Sequence, residues 1–260
     1  MDASLPETEQ ELVARRAASF GVGAAVYAAE RPGYPAEAVR WALEPLAGRE
    51  PLRILDLAAG TGKVTEALLS EGIPAGDVVA VEPDPQMLAE LRRGVPGVRA
   101  LAGGAEAIPL PDGSVDAVLV GQAMHWFDLD RAFPEMRRVL APGGILAGFW
   151  NRDDDRVPWV AALREVSRGH GSARRSRPGR FPVGAEFPDA EQTEFPHAQR
   201  RTAESLTATI GTHSHVLVLD EAEREALLAR VLGHLRATPE TAEGEFDLPI
   251  VTLAVRVRRA

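Results

Sequence analysis

Between Leu52 and Trp150, five short apolar runs recur, most of them separated by segments of helical period, and no other feature of the chain restricts its fold as much. The runs are "LRILDLA", "DVVAVEP", "GVRALAG", "SVDAVLVG" and "ILAGFW". Each is nearly continuous in hydrophobic residues, as expected of strands buried on both faces of a parallel sheet. Between them "GKVTEALLSEG" reads as a helix ending at Gly72, and "DPQMLAELRRG" as a helix with Asp84 as N-cap and Pro85 in its first turn. "DLDRAFPEMRRVLAPGG" reads as a third, closed by a Pro-Gly-Gly turn. The pattern predicts a doubly wound α/β domain with helices on both faces of the sheet.

The flanks are less regular. Ahead of the first strand, "ERPGYP" forms a loop leading into an amphipathic helix whose Val39, Leu43 and Leu46 face the core. After Trp150 a helix is expected from Val157 to Arg168, followed by the Gly-, Ser-, Arg- and Pro-rich "RGHGSARRSRPGRFPVG", which reads either as a mobile lid over residues 167–183 or as an ordinary solvated loop. Helices near Ala203–Ile210 and Asp220–Leu235 come next. In the closing "DLPIVTLAVRVRRA", Val251, Leu253, Val255 and Val257 alternate with more polar positions, as in an antiparallel strand. The expectation is one domain over 1–260, with N-terminal cap helices in 1–50 and a ligand-binding core in 51–152. A lid and substrate-side elaboration would fill 153–245, and a closing strand 246–260.

Composition excludes several classes. With 45% hydrophobic and 26% charged residues the chain is ordinary for a folded globular protein. No apolar run approaches the roughly 18 residues needed to cross a bilayer, and the acidic start "MDASLPETEQELVARR" is unlike a secretory signal, so a cytoplasmic location without membrane association is expected. The absence of cysteine removes disulfides, thiolate nucleophiles and Cys-based metal sites. A net charge of −9 argues against general affinity for nucleic acid, although "SARRSRPGR" supplies a local basic stretch.

The loop after the first strand, "DLAAGTGKVT", carries the only lysine of the chain, Lys63. A Walker loop needs a glycine where Leu57 stands and a Ser or Thr where Val64 stands, so the Gly-Lys pair is no triphosphate cradle. A dinucleotide fingerprint is matched only weakly, with Thr65 in place of its third small residue. The carboxylates point elsewhere. Asp56 ends the first strand and can organise the loop or meet a cationic amino group, Gly60 and Gly62 let backbone approach a ligand, and Glu82 ends the second strand where it can accept both hydroxyls of a ribose.

At this point the sequence resembles the class I S-adenosylmethionine-dependent methyltransferases. The likeness rests on "ILDLAAGTGKVT", "VVAVEPDPQML", "GGAEAIPLPDGSVDAVLVGQAMHWFD" and "RVLAPGGILAGFWN" in this order. The "ERPGYP" and "HWF" elements are more specifically similar to the small-molecule branch containing trans-aconitate methyltransferase-like proteins. The resemblance implies a Rossmann-like, seven-stranded, mostly parallel sheet whose C-terminal strand is antiparallel. It implies that S-adenosyl-L-methionine is the cofactor and S-adenosyl-L-homocysteine its product. Asp56, Gly60 and Gly62 would surround the methionine portion, Glu82 the ribose and Pro83 the adenine, with Ala105 and Glu106 along the adenine edge, and Ala58, Met87 and Gly104 are further candidates for cofactor binding. Gln122 would lie beneath the transferred methyl, and Tyr27 and Arg31 would close the top of the pocket. Many relatives carry an acidic residue at the position of Gly104; its adenine contact is absent here, or is supplied by Glu106 or by backbone carbonyls.

The implied reaction is transfer of a methyl group to a carboxylate, hydroxyl or amine of a small molecule, with alignment as its main demand. His125, just beyond the fourth strand, is the candidate general base; equally, His-Trp-Phe can simply pack and cap the following helix, with Asp128 as N-cap. Tyr34, Trp126, Trp150 and Arg152 are candidates for the substrate side, the arginine for an acidic group. "DDDR" after Arg152 reads as a solvated turn, His213 and His215 lack accompanying carboxylates, and no metal site is expected. Glu135 and Arg138 are read as structural. The competing functions are methylation of RNA or protein, and a methyltransferase fold that binds cofactor without transferring methyl, as a cyclase or a partner-binding protein. A monomer or homodimer is expected.

Overall fold

The computed structural model describes residues 31–167 and 189–259. Tyr27, the rest of the chain ahead of Arg31, and the Arg-rich stretch beyond Ser167, read as a lid or a solvated loop, lie outside the described residues.

Helix α1 (Ala36–Leu43) precedes β1 (Ile54–Leu57), α2 (Lys63–Ser70), β2 (Val78–Glu82), α3 (Pro85–Gly94), β3 (Arg99–Ala102), β4 (Val115–Gly121), α4 (Leu129–Val139) and β5 (Leu140–Asp153). The chain continues through α5 (Pro158–Ser167), β6 (Glu191–Arg201), α6 (Ala203–Gly211), α7 (Ser214–Leu217), α8 (Glu221–Ala237) and β7 (Phe246–Arg258). One seven-stranded sheet results, in the order β3-β2-β1-β4-β5-β7-β6. The first five strands pair in parallel, and β7 inserts antiparallel between β5 and β6. This is the doubly wound, Rossmann-like sheet with an antiparallel C-terminal strand that the resemblance implied.

Burial explains why the strands read as unbroken apolar runs. In β1, Leu55 and Leu57 face a core closed by Phe133, Met136 and Val139 of α4, while Ile54 faces the opposite core with Val39 of α1 and Leu68 of α2. Both faces of the sheet are therefore dry, which removes the polar alternation of a half-buried strand. Asp84 caps α3 as expected, its Oδ1 accepting the N–H groups of Gln86 at 2.8 Å and Met87 at 2.9 Å. A third core, beside the sheet proper, joins Val160 and Leu163 of α5, Leu206 and Ile210 of α6 and Leu227, Val231 and Leu235 of α8 to Phe246, Leu248 and Ile250 at the start of β7.

Two expectations need correction. "LAPGG" does not finish a helix: α4 ends at Val139, and Leu140 already pairs with Val115, the register shifting before Ala117 meets Ile145. β6 was not anticipated either. Its sequence "EQTEFPHAQRR" is polar and holds Pro196 because it is the sheet's outer strand, mostly exposed and fixed by its ladder with β7.

Candidate functional site

The strand order reverses between β1 and β4, so the loops leaving their carboxyl ends diverge and leave a crevice at the switch point. There a cavity of about 920 Å³ opens, walled by the loop after β1, the ends of β2, β4 and β5, and residues of α6 and β7.

The loop after β1 is shaped by backbone torsion and two buried acids. Ala58 has φ 54° and Gly60 φ 57°, turning the chain so that the Gly60 N–H points at Glu82 Oε2, 2.8 Å away. Glu82 Oε1 accepts the Asp84 N–H at 2.8 Å. Only 6% exposed, Glu82 has its pKa raised by burial, partly offset by those two backbone bonds. Asp56 is wholly buried, and its Oδ2 accepts the Thr65 N–H at 3.0 Å and the Thr65 hydroxyl at 2.6 Å. Burial pushes its carboxyl up from 3.8 to about 7, against the pull of the two Thr65 bonds and with the Glu82 charge adding to the rise. Two buried oxygens of this wall, Asp56 Oδ1 and Thr61 Oγ1, have no hydrogen-bond partner. A Cβ on Gly60 would meet nothing within 4 Å, leaving room for a ligand against its backbone.

The side wall is held by α4. Glu135 Oε2 accepts the Ile108 N–H at 2.8 Å, and Arg138 donates to the carbonyls of Leu110 at 2.7 Å and Ile108 at 2.9 Å. Arg138 holds the Glu135 carboxyl below its ordinary range, so the pair stays charged and fixes the segment that carries Gly104, Ala105 and Glu106. Glu106 Oε1 in turn accepts the Asp128 N–H at 2.9 Å, whereas the Asp128 side chain, expected to cap α4, makes no capping bond.

Gln122 follows β4 with φ 55°, a torsion uncommon outside glycine. Its side chain clasps the β5 backbone, Oε1 accepting the Asn151 N–H at 2.9 Å and Nε2 donating to the Asn151 carbonyl at 3.4 Å. Gly121 beside it was not singled out in the sequence, yet a Cβ there would come within 2.7 Å of Val64 and 2.8 Å of the Tyr34 hydroxyl. A glycine at a strand end is the one signal that could have revealed it. His125 sits at the rim, exposed on one side and packed on Trp126 with ring centroids 4.5 Å apart. Desolvation on the packed side lowers its pKa, so the imidazole is neutral near pH 7.

Of the residues expected at the site, Arg31, Tyr34, Asp56, Ala58, Gly60, Glu82, Pro83, Met87, Gly104, Ala105, Glu106, Gln122, His125, Trp126 and Arg152 line this cavity. Gly62 and Trp150 do not. Gly62 is the N-cap of α2 with φ 94°, and a Cβ there would meet Leu91 and Val95 of α3 only at ordinary contact distance, so its requirement is the left-handed backbone at the helix start rather than ligand approach. Trp150 is 5% exposed and belongs to the core beneath α4. Lys63 reaches the wall, but its Nζ pairs with Glu66 at 2.9 Å. The "DDDR" turn is not wholly solvated: Asp153 and Asp155 line the cavity, and Asp155 pairs with Arg164 of α5. Arg152 donates to Glu194 of β6 at 2.7 Å. Arg164, Gln199, Ile210 and Leu248 complete the far wall, none of them foreseen in the sequence.

Comparison with known proteins agrees with this geometry. Residues 55–148 match the family described as a methyltransferase domain. An uncharacterized methyltransferase of Mycobacterium tuberculosis is 42% identical over 243 residues, spanning 93% of this chain and 96% of that protein. A methyltransferase-like protein of Schizosaccharomyces pombe is 36% identical over 82% of this chain and 84% of its own. Among solved structures, a candidate type II methyltransferase from Anaeromyxobacter dehalogenans superposes with a TM-score of 0.62 at 28% identity, covering 88% of this chain and 97% of that one.

Proposed function

The chain belongs to the class I S-adenosylmethionine-dependent methyltransferases, and within them we propose that it methylates a carboxylate, hydroxyl or amine of a small molecule. The observation that carries this reading is the continuous cavity of about 920 Å³ that joins the loop after β1 to side chains of β5, β6 and α6. Its size lies at the upper end of the roughly 300–1,000 Å³ of small-molecule sites, enough for a cofactor and a small acceptor side by side.

The residues present fit the cofactor. The unpartnered Asp56 Oδ1 and Thr61 Oγ1 are suited to an ammonium and a carboxylate, and the open space beside Gly60 admits an amino-acid chain against the backbone. Glu82, fixed by two N–H donors, keeps a free lone pair on each oxygen for the ribose hydroxyls. Pro83, Met87 and Ala105 offer apolar surface to the adenine, with Glu106 at its edge. The bound cofactor supplies an electrophilic methyl on a sulfonium. The protein's part is to orient the acceptor and exclude water, which can be worth about 7–11 kcal/mol. Gln122, Tyr34 and Trp126 confine the space where the two ligands meet, and Arg152 and Arg164 border the acceptor side. Neutral His125 can take a proton from a hydroxyl or ammonium acceptor, a gain of roughly 10²- to 10⁴-fold; a carboxylate acceptor needs no base. In this reading "ERPGYP" and "HWF" support a kinship with the branch of trans-aconitate methyltransferase-like proteins.

The test is calorimetry with S-adenosylhomocysteine, followed by a labelled-methyl transfer screen over small acids, phenols and amines. Binding that weakens in Glu82→Ala and transfer to a small acceptor are expected, with His125→Gln losing turnover but not cofactor affinity. Undiminished binding in Glu82→Ala would overturn the site, and transfer only to RNA or protein fractions would overturn the acceptor class.

A further inference from the structure

Three side chains on the outer half of the sheet form a continuous polar line, of which only Asn151 also lines the cavity. Asn151 on β5, Thr252 on β7 and His197 on β6 share one face, Asn151 pairing with Thr252 across the ladder and His197 lying two residues along from Phe195, which pairs with Thr252. Thr252 is wholly buried, so its hydroxyl needs partners within the protein. It has two: Asn151 Oδ1 at 2.5 Å and His197 Nε2 at 3.0 Å.

The direction of every proton in this line follows from its far end. Asn151 Nδ2 lies 2.9 Å from the Gly33 carbonyl and 3.4 Å from that of Pro32, and because carbonyls only accept, the amide must present its NH₂ to them. Its Oδ1 therefore faces Thr252, whose single hydroxyl proton goes there. The remaining Thr252 lone pair can only accept, which requires the proton of neutral His197 to be on Nε2. We propose that His197, Thr252 and Asn151 act as a one-way hydrogen-bond relay, with each donor fixed by the next acceptor, that positions the Arg31–Tyr34 segment over the cofactor cavity.

The segment matters because Arg31, Pro32 and Tyr34 line the cavity, and the Tyr34 hydroxyl sits against Gly121 at the end of β4. Asn151 is itself placed by the Gln122 clasp, so the relay ties the loop over the cavity to the same β4 terminus that forms its floor. Asn151, Thr252 and His197 are positioning residues, since they act through the loop's backbone carbonyls.

The proposal rests on the cavity being the cofactor site, and its test separates the two. In the full chain, Thr252→Val keeps the side-chain shape without the hydroxyl, and Asn151→Asp keeps shape but cannot donate to the Gly33 carbonyl. Each should weaken S-adenosylhomocysteine binding roughly 3- to 10-fold, the loss of one hydrogen bond's worth of order, and speed hydrogen exchange at the Tyr34 amide. Thr252→Ser should restore both. The double variant should lose less than the product of the two single losses, because both break one chain. In nitrogen NMR, the His197 ring should be protonated at Nε2 in the parent and lose that preference in Thr252→Val. Unchanged Tyr34 exchange and affinity in Thr252→Val, equal losses in Thr252→Ser, or strictly multiplicative losses in the double variant would overturn the relay. If the parent fails to bind S-adenosylhomocysteine, the cofactor site is refuted, while Tyr34 exchange, which needs no ligand, still decides the relay.

Discussion

Asp56→Asn should flatten the dependence of folding stability on pH between about 4 and 7. Asp56 is fully buried, and one of its oxygens has no partner. Its pKa in the folded chain is raised from 3.8 to about 7. In the unfolded chain the carboxyl gives up its proton near the ordinary value, whereas the folded chain holds it until about pH 7. Stability is therefore fully present below pH 4 as far as this group is concerned, falls through the window between the two values, and levels off above the folded one. At about 1.36 kcal/mol per pH unit the whole fall is roughly 4 kcal/mol, a large part of the 5–15 kcal/mol typical of a domain. Oδ2 already accepts both Thr65 donors, so the proton resides on Oδ1, the oxygen that faces the proposed ammonium of the cofactor.

The assay is urea unfolding of the parent and of Asp56→Asn at intervals from pH 4 to 8. The asparagine leaves an orphan donor in place of the proton, which shifts its curve by a constant, so the slope rather than the offset is diagnostic. The difference between the two curves should change by several kcal/mol across the window, and S-adenosylhomocysteine at saturation should remove most of that change by pairing the ionised carboxylate. Calorimetry of the parent at pH 6 in buffers of different ionisation enthalpy should show proton release on binding that disappears at pH 8.5. Parallel stability curves for parent and variant would refute the argument that burial governs this carboxyl.

Two further substitutions test the walls of the cavity. Gly121→Ala places a Cβ 2.7 Å from Val64 and 2.8 Å from the Tyr34 hydroxyl; it should cost about 1–3 kcal/mol by thermal unfolding and weaken S-adenosylhomocysteine binding as Tyr34 is pushed aside. Glu135→Ala leaves the buried Ile108 N–H without an acceptor, and a loss of about 1–3 kcal/mol is expected, together with faster hydrogen exchange over residues 104–110.

How much of this could be read from the chain depends on whether neighbours in space are also neighbours in sequence. The parallel strands were legible because burial on both faces makes each a compact apolar run, and Asp84 because an N-cap bonds only two and three residues ahead. The proposed cofactor half of the cavity was legible for the same reason: Asp56, Gly60 and Glu82 lie at or just after the ends of strands that announce themselves. The proposed acceptor half is gathered from α5, β6, α6 and β7, where Arg164, Gln199, Ile210 and Leu248 lie far apart in the chain, and β6 shows no apolar pattern because it is an outer strand. Gly60 and Gly62 show the limit of motif reading: they look alike in "GTG", but one opens onto the cavity and the other supplies the left-handed turn that starts α2.

The one departure from the family pattern is explained by space rather than by position. Gly104 lacks the acidic side chain expected against the adenine, yet a Cβ there would lie 3.3 Å from Glu106 Oε2, so the carboxylate of Glu106 already occupies the region such a side chain would enter. Its other oxygen is committed to the Asp128 N–H at the start of α4, which orients the group and leaves Oε2 toward the cavity. The backbone turn that pairs Gly104 with Ala107 brings the two positions together. In the proposed site an acid two residues later in the sequence would do the work of the missing one, and its bond to the Asp128 N–H satisfies the backbone donor of the N-cap residue itself, while the Asp128 side chain makes no capping bond.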